Sequence, residues 1–218
     1  MPSRALVIGA SGGIGQAVTD ALRARGDEVV TLSRRDDRLD VTNPAAVARV
    51  MGAVAGPFDL IFVAIGILGT PEKSLEAVNA DAMAQVIAIN AIGPALVLRH
   101  AARLLPRKGR SVCAVLSARV GSIGDNRIGG WYSYRASKAA LNQIVHGAAI
   151  ELGRSHKDSI VVALHPGTVE TPFTAHYADR HKTVPAEVAA GSLIGTIEGL
   201  TRDDTGGFFD YAKDAIPW

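Results

Sequence analysis

Six short aliphatic runs punctuate the chain: Ala5–Ile8, Glu28–Leu32, Leu60–Val63, Ser111–Leu116, Ile160–Leu164 and Phe208–Asp210. Longer amphipathic or alanine-rich stretches separate them, near 13–25, 44–54, 79–105, 131–154 and 185–200. Apolar runs without strict alternation suit strands covered on both faces, and the longer stretches have helical spacing. Strand and helix alternating in this way predict a parallel sheet with helices on both sides, joined by right-handed crossovers. Counting a short extra strand that ends at Asp40-Val41, the expected fold is α/β, a doubly wound parallel sheet of about seven strands. Ligands of such sheets sit at the carboxyl ends of the strands. No linker, repeat or low-complexity tract divides the chain, so residues 1–218 read as one domain. Residues 166–184 lack clear periodicity and follow a strand, which makes them either a substrate lid or a plain surface loop.

Composition narrows the functional classes. Of 218 residues, 48% are hydrophobic and only 5% aromatic, so the core must be packed with Ala, Val, Ile and Leu. The 23 basic residues nearly balance the 21 acidic ones, which gives no case for a nucleic-acid partner. The single cysteine, Cys113, excludes an internal disulfide and points to a reducing, cytoplasmic setting. No Cys/His spacing resembles a metal site, and the N-terminus has no export-signal pattern. No uninterrupted apolar stretch reaches the roughly 20 residues of a membrane span, so no membrane partner is expected.

The segment Gly9-Ala10-Ser11-Gly12-Gly13-Ile14-Gly15 follows the first strand and opens the first helix. Gly9 permits a sharp turn, while Gly13 and Gly15 remove side chains where backbone nears a pyrophosphate and where helix meets sheet. The helix N-terminus then offers free N–H groups and partial positive charge to phosphates. The spacing differs from the usual Gly-x-Gly-x-x-Gly fingerprint, but its placement predicts dinucleotide binding. An acidic residue ending the second strand would select NAD. Here the strand ends in Ser33-Arg34-Arg35. Ser33 can donate to a 2′-phosphate and Arg34 can grip one bidentately, so NADP is favoured over NAD. The plainer alternative is a solvated charge run of Arg34 and Arg35 with Asp36 and Asp37. Asp40 and Val41 would edge the adenine.

Tyr134-Arg135-Ala136-Ser137-Lys138 lies near the start of a long helix. Residues four apart share a helix face, so Tyr134 and Lys138 are neighbours. A fixed ammonium is expected to lower a phenol's pKa, and a tuned phenol exchanges a proton with a carbonyl or alcohol oxygen. Asn90 precedes Pro94 by four residues. Proline has no N–H, so the Asn90 carbonyl loses its usual helix partner and is open to water.

Together these segments resemble the short-chain dehydrogenase/reductase family, across essentially the whole chain. The likeness extends to Asp40-Val41-Thr42 and to His165-Pro166-Gly167-Thr168-Val169 followed by Thr171. Gly121-Ser122-Ile123-Gly124-Asp125-Asn126, Gly129-Gly130-Trp131-Tyr132-Ser133-Tyr134 and the ending Ile216-Pro217-Trp218 resemble the C-factor and sniffer-type carbonyl reductases more particularly. The resemblance implies a Rossmann-like fold and metal-free hydride transfer between NADPH and a carbonyl or alcohol. It makes Tyr134 the acid/base and has Lys138 hold the nicotinamide ribose. Asn90 would supply a water relay through its backbone carbonyl. The glycine turn, with Ser11 and Ile14, would hold the pyrophosphate, and Ala64 and Gly66 would follow the cofactor. Pro166, Gly167 and Val169 would line the nicotinamide, with Thr171 on its carboxamide or the pyrophosphate.

Two positions depart from the family pattern. Ala64-Ile65-Gly66 stands where Asn-Ala-Gly is usual. Ser117-Ala118-Arg119-Val120-Gly121 stands where Ser-Ser-x-x-Gly is usual, which puts Ala118 at the substrate-binding serine. Ser117 is the adjacent candidate, although strand alternation points it to the other face, and Ser122 is a second. Losing such a donor costs roughly 10²–10³ in rate.

Trp131, Phe173, His176 and Tyr177 are candidate pocket residues for a small, partly apolar carbonyl or alcohol substrate. The alanine-rich helices suggest a homodimer or homotetramer. Three functional classes fit the pattern: an NADPH-dependent carbonyl reductase or alcohol dehydrogenase, a dinucleotide-binding sensor with little turnover, and an epimerase or dehydratase.

Overall fold

Strand β1 (Arg4–Ile8) turns at Gly9 into helix α1 (Gly13–Ala24) in the computed structural model, which describes residues 3–171 and 183–218. Then come β2 (Glu28–Leu32), α2 (Arg34–Asp37) and α3 (Pro44–Ala53). Strand β3 (Leu60–Val63) leads to α4 (Ala80–Ile87), a π turn at Ala88–Ile92, α5 (Gly93–Leu98) and α6 (Ala101–Leu104). Strand β4 (Ser111–Leu116) precedes the long α7 (Tyr132–Leu152), and β5 (Ser159–His165), α8 (Ala186–Gly199) and β6 (Phe208–Asp210) complete the order.

The six strands form one sheet in the order β2-β1-β3-β4-β5-β6, with every pair parallel. Alternate residues of each strand face opposite layers. Leu6, Ile8, Ile61, Val63, Val115 and Val161 pack with Val47 of α3, Val97 of α5 and Leu141 and Val145 of α7. Val7, Phe62, Ala114, Val162 and Leu164 pack with Val18 of α1 and Leu193 of α8. Each fully buried aliphatic or aromatic side chain contributes about 1.5–3 kcal/mol of transfer free energy. Cys113 belongs to the first layer, where burial pushes its thiol up to about 12 and leaves it a small hydrophobe.

The order reverses between β1 and β3, so a crevice opens at their carboxyl ends. There the Ala64 N–H donates to the Ile8 carbonyl at 2.7 Å, and the Gly9 and Ala10 N–H groups both donate to the Leu32 carbonyl. The glycine turn is thereby tied to the ends of β2 and β3.

Two expectations need correction. The seventh strand, expected to end at Asp40-Val41, is not formed. Ser33 instead caps α2, Arg38 adopts a left-handed φ of 55°, and the Asp40 carboxylate accepts from the Thr42 N–H and hydroxyl. The backbone polar groups are satisfied locally, so no ladder is needed. Nor is residues 79–105 one regular helix. A π turn sits directly ahead of Pro94, where the Gly93 N–H reaches back five residues to Ala88, and the run breaks at Arg99-His100. The helical part Ala80–Leu98 is 19 residues long and apolar enough to pass for a membrane span by length and composition. In this fold it packs against α7 and the core, and it buries Asn90, Pro94 and Val97.

Candidate active site

A cavity of about 680 Å³ opens at the carboxyl end of the sheet. Three separate segments meet in its wall. The glycine turn contributes Ser11, Gly13, Ile14 and Gly15; α7 contributes Tyr134 and Lys138; and the stretch after β5 contributes Pro166, Gly167, Val169 and Thr171. Ala64, Gly66, Ser117 and Trp131 complete the predicted residues that line it. Residues distant in sequence are gathered because β1, β3, β4 and β5 are parallel and end level with one another.

The glycine end is shaped by backbone. Gly9 has a φ of +90°, and a Cβ there would lie 2.3 Å from the Ala64 carbonyl oxygen. A Cβ on Gly15 would lie 2.2 Å from the Gly9 carbonyl oxygen. No side chain caps α1, and no acidic residue occupies its first turn. Its first N–H groups and their partial positive charge are therefore available to an anion on the cavity side. These features fit the pyrophosphate of a dinucleotide.

Beyond the glycine turn, the edge at β2 differs from expectation. Ser33 is buried, and its hydroxyl donates to the Asp36 carboxylate while accepting from the Asp36 N–H. It serves as the cap of α2, a role the sequence reading did not include. Arg35 pairs with Asp36 at 2.9 Å, so the charge run exists in part. Arg34 is exposed and has no carboxylate within 4.0 Å among the described residues; it follows by two residues Leu32, whose carbonyl ties down the glycine turn. Asp40 and Val41 lie outside the cavity wall. The Asp40 carboxylate is occupied by Thr42, and Val41 packs so closely on Gly93 that a Cβ there would meet it at 2.8 Å.

At the other end, α7 starts abruptly. Gly129, Gly130 and Trp131 all have positive φ, and Trp131 is the N-cap. Glu72 secures this start. Its backbone carbonyl accepts from the Trp131 N–H at 2.7 Å, and its carboxylate accepts from both the N–H and the hydroxyl of Ser133. Burial raises the Glu72 pKa, but the Ser133 and backbone hydrogen bonds outweigh it and hold the carboxyl below its usual value. A carboxylate there also complements the helix dipole. The sequence carries no signal for Glu72, which lies in an irregular loop 61 residues from Ser133.

Tyr134 and Lys138 are both buried, and the Lys138 ammonium lies 5.9 Å from the phenol ring centroid. The Lys138 Nζ donates to the Leu116 carbonyl at 3.0 Å. Burial brings Lys138 down to about 8. Burial also pushes the Tyr134 phenol above its ordinary value, opposite to the expected lowering. Desolvation of the phenolate outweighs the ammonium at this separation. The phenol therefore stays protonated at neutral pH, the form that gives a proton.

Asn90 is fully buried and acts through its side chain. Its amide accepts from the Ile67 N–H at 2.7 Å and donates to the Ile67 carbonyl at 2.8 Å and to the Ser137 hydroxyl at 3.0 Å. A Cβ on Gly66 would lie 3.4 Å from both the Asn90 oxygen and the Lys138 Nζ. Asn90 thus fastens the loop after β3 to the helix that carries Tyr134, a brace that the sequence argument about its carbonyl missed.

Ser117 reaches the wall, but its hydroxyl donates to the Asn142 side chain at 2.6 Å. Asn142 thus ties Ser117 to α7 at the edge of the cavity. Ser122 is no substitute, because its hydroxyl donates to the Pro217 carbonyl. Ala118 itself lines the cavity. His165 also lines it, its buried Nδ1 without a partner among the described residues; burial first and then Arg119 bring its pKa down to about 4, against Asp210. Trp131 is in the wall, its ring 6.3 Å from that of Tyr134. Phe173, His176 and Tyr177 lie outside the described residues. Among the described residues, no group of three or more His, Cys, Asp or Glu is placed to hold a metal.

Comparison with known proteins places this geometry. Residues 9–198 match the family model described as enoyl-(acyl carrier protein) reductase. A 1-hydroxy-2-glutathionyl-2-methyl-3-butene dehydrogenase of Rhodococcus sp. (strain AD45) is 32% identical over 99% of this chain and 100% of its own. The C-signal of Myxococcus xanthus is 37% identical over 75% of this chain and 94% of its own. The crystal structure of a short-chain dehydrogenase/reductase from Burkholderia multivorans with bound NADP superposes with a TM-score of 0.85. It is 26% identical and matched over 100% of both chains.

Proposed function

From the premise that the chain belongs to the short-chain dehydrogenase/reductase family, we propose that it is an NADPH-dependent reductase of a small carbonyl compound, or the corresponding alcohol dehydrogenase, with Tyr134 as acid/base. The observation that carries this reading is the shared cavity: Tyr134 and Lys138 stand in the same wall as the uncapped N-terminus of α1. When bound, the dinucleotide supplies the hydride.

The chain's residues do the rest. Gly13, Ile14 and Gly15 present backbone N–H groups to the pyrophosphate, beside the Ser11 position. Arg34 grips the 2′-phosphate, which Arg35 cannot do while paired with Asp36. Pro166, Gly167, Val169 and Thr171 wall the nicotinamide, and Lys138 holds the ribose. Tyr134 delivers its proton to the carbonyl oxygen, in the protonated state that burial favours. Asn90 and Glu72 fix the helix that aims the phenol. A homodimer or homotetramer belongs to the same reading, supported by the exposed Ile92 and Ile150 on the α5 and α7 side. So does a cytoplasmic setting, supported by the lone buried Cys113.

Ala118 favours one competing reading, a dinucleotide-binding protein with little turnover, because no hydroxyl stands at the family's serine position. The discriminating experiment is NADPH and NADH titration followed by a carbonyl panel. The expected results are NADPH oxidation with at least one carbonyl, and NADPH binding weakened about tenfold or more by Arg34→Ala with NADH binding little changed. Tight binding without oxidation by any carbonyl would favour the competing reading. Equal weakening of both nucleotides would remove the role given to Arg34.

A further inference from the structure

The cavity wall beyond Tyr134 is basic on one side. Arg119, Arg127 and Arg135 line it, against one carboxylate, that of Asp125. These charges differ in how far they are already neutralised. Arg119 holds Asp125 at 3.1 Å and Asp210 at 3.0 Å, so it is spent within the protein. Arg127 is exposed and, among the described residues, hydrogen-bonds only to the Asn126 carbonyl, at 3.5 Å.

Arg135 is half-buried, and no carboxylate approaches it within 4.0 Å among the described residues. Its Nε donates to the carbonyls of Gly130 at 3.0 Å and Gly129 at 3.3 Å, and its Nη1 to that of Val120 at 3.4 Å. Three carbonyls fix the plane of the guanidinium without cancelling its charge. Its Nη2 has no partner among the described residues, so one edge of the fork remains for an acceptor in the cavity. A fixed guanidinium with an uncommitted edge is a ready partner for a carboxylate. The neighbouring wall is apolar, with Trp131, Ile128 and Leu68.

We propose that the carbonyl substrate carries a carboxylate, received by Arg135 with Arg127 at the mouth, and an apolar body that lies against Trp131, Ile128 and Leu68. Arg135 is then the specificity-determining residue. It lines the same cavity as Tyr134, so seating the carboxylate fixes how the carbonyl approaches the phenol. This assignment rests on the reductase reading of the same cavity.

The test compares 4-formylbenzoate with its methyl ester, which share the aldehyde and ring and differ in charge. Binding is measured by calorimetry in the presence of NADP, and kcat/KM by NADPH oxidation. In wild type the acid is expected to bind more tightly than the ester. Arg135→Met is expected to reduce the acid-to-ester ratio about tenfold or more in both measurements, with NADPH affinity nearly unchanged. Arg135→Lys should recover part of the ratio. Because Arg135→Met also removes three bonds to the loop, the exposed Arg127→Met serves as a second variant, with a loss of about threefold that added salt mimics.

Equal binding of acid and ester in wild type, or a ratio unmoved in both Met variants, would overturn the proposal. Arg135-dependent binding of the acid without oxidation of NADPH by any carbonyl would sustain the anion site and defeat the reductase reading.

Discussion

Along the inner face of α7, Ser133, Tyr134, Ser137, Lys138 and Asn142 occupy the first three turns, and Leu141, Val145, Ala149 and Leu152 continue the stripe. Both halves are buried to the same degree, yet their chemistry is opposite. The apolar half packs on β4 and β5 and anchors the helix. The polar half is satisfied piecemeal, by Glu72, Asn90, Ser117 and the Leu116 carbonyl, and it leaves the Asn142 Nδ2 without a partner among the described residues. Burial stabilises the fold in one half, and in the other it raises the phenol and lowers the lysine. One rigid element thus carries the cost of a reactive centre at one end because the other end is well packed.

Variants in the two halves should separate stability from turnover. Lys138→Met is expected to reduce kcat/KM by about 10²–10⁴. It should nevertheless be no less stable than wild type at pH 7. The sign follows from the lysine's depressed folded-state value of about 8: between there and 10.5 the unfolded chain binds more protons, so wild-type stability rises with pH. The stability difference between variant and wild type should therefore shift in favour of wild type across that window, as read from thermal melts at several pH values. A variant that is strongly destabilised at pH 7 would show that the lysine is a structural necessity.

Leu141→Ala should do the reverse, costing about 2–5 kcal/mol in urea unfolding while leaving the KM for NADPH within about twofold. A large change in KM without loss of stability would erase the division between the halves.

His165 gives the smallest effect. Its folded value of about 4 lies below its unfolded value, so the unfolded chain binds more protons between pH 4 and 6.5. Stability contributed by the neutral imidazole is complete above 6.5 and is lost as pH falls through that window. His165→Asn should flatten the decline of urea midpoints over the same range. An unchanged slope would mean that His165 titrates normally.

The contrast also explains what the sequence made legible. The six strands and the glycine turn are local: a few consecutive residues dictate them through hydrophobic pattern and steric demand, as with Gly9 and Gly15. Tyr134 and Lys138 are readable because four-residue spacing on one helix is itself a geometry. The capping role of Ser33 is not legible in the same way, because it depends on Asp36 three residues on. The missing seventh strand has the same cause, with Asp40 satisfying Thr42. Ser117, Glu72 and Arg135 lay beyond reach for a different reason. Their roles depend on Asn142, Ser133 and the carbonyls of Val120, Gly129 and Gly130, partners that only the tertiary fold supplies. Arg135 did have a signal, since it sits inside the Tyr134–Lys138 segment with no acidic residue four positions away on either side.

The most direct measurement is transfer of deuterium from NADPH labelled at the nicotinamide C4 to a carbonyl substrate, in wild type and in Tyr134→Phe. Wild type is expected to place the label on the carbinol carbon from one of the two C4 isomers. Tyr134→Phe should bind NADPH with unchanged affinity and give labelled alcohol about 10²–10⁴ times more slowly. Labelled alcohol formed by Tyr134→Phe at the wild-type rate would contradict the assignment of the phenol as the proton donor.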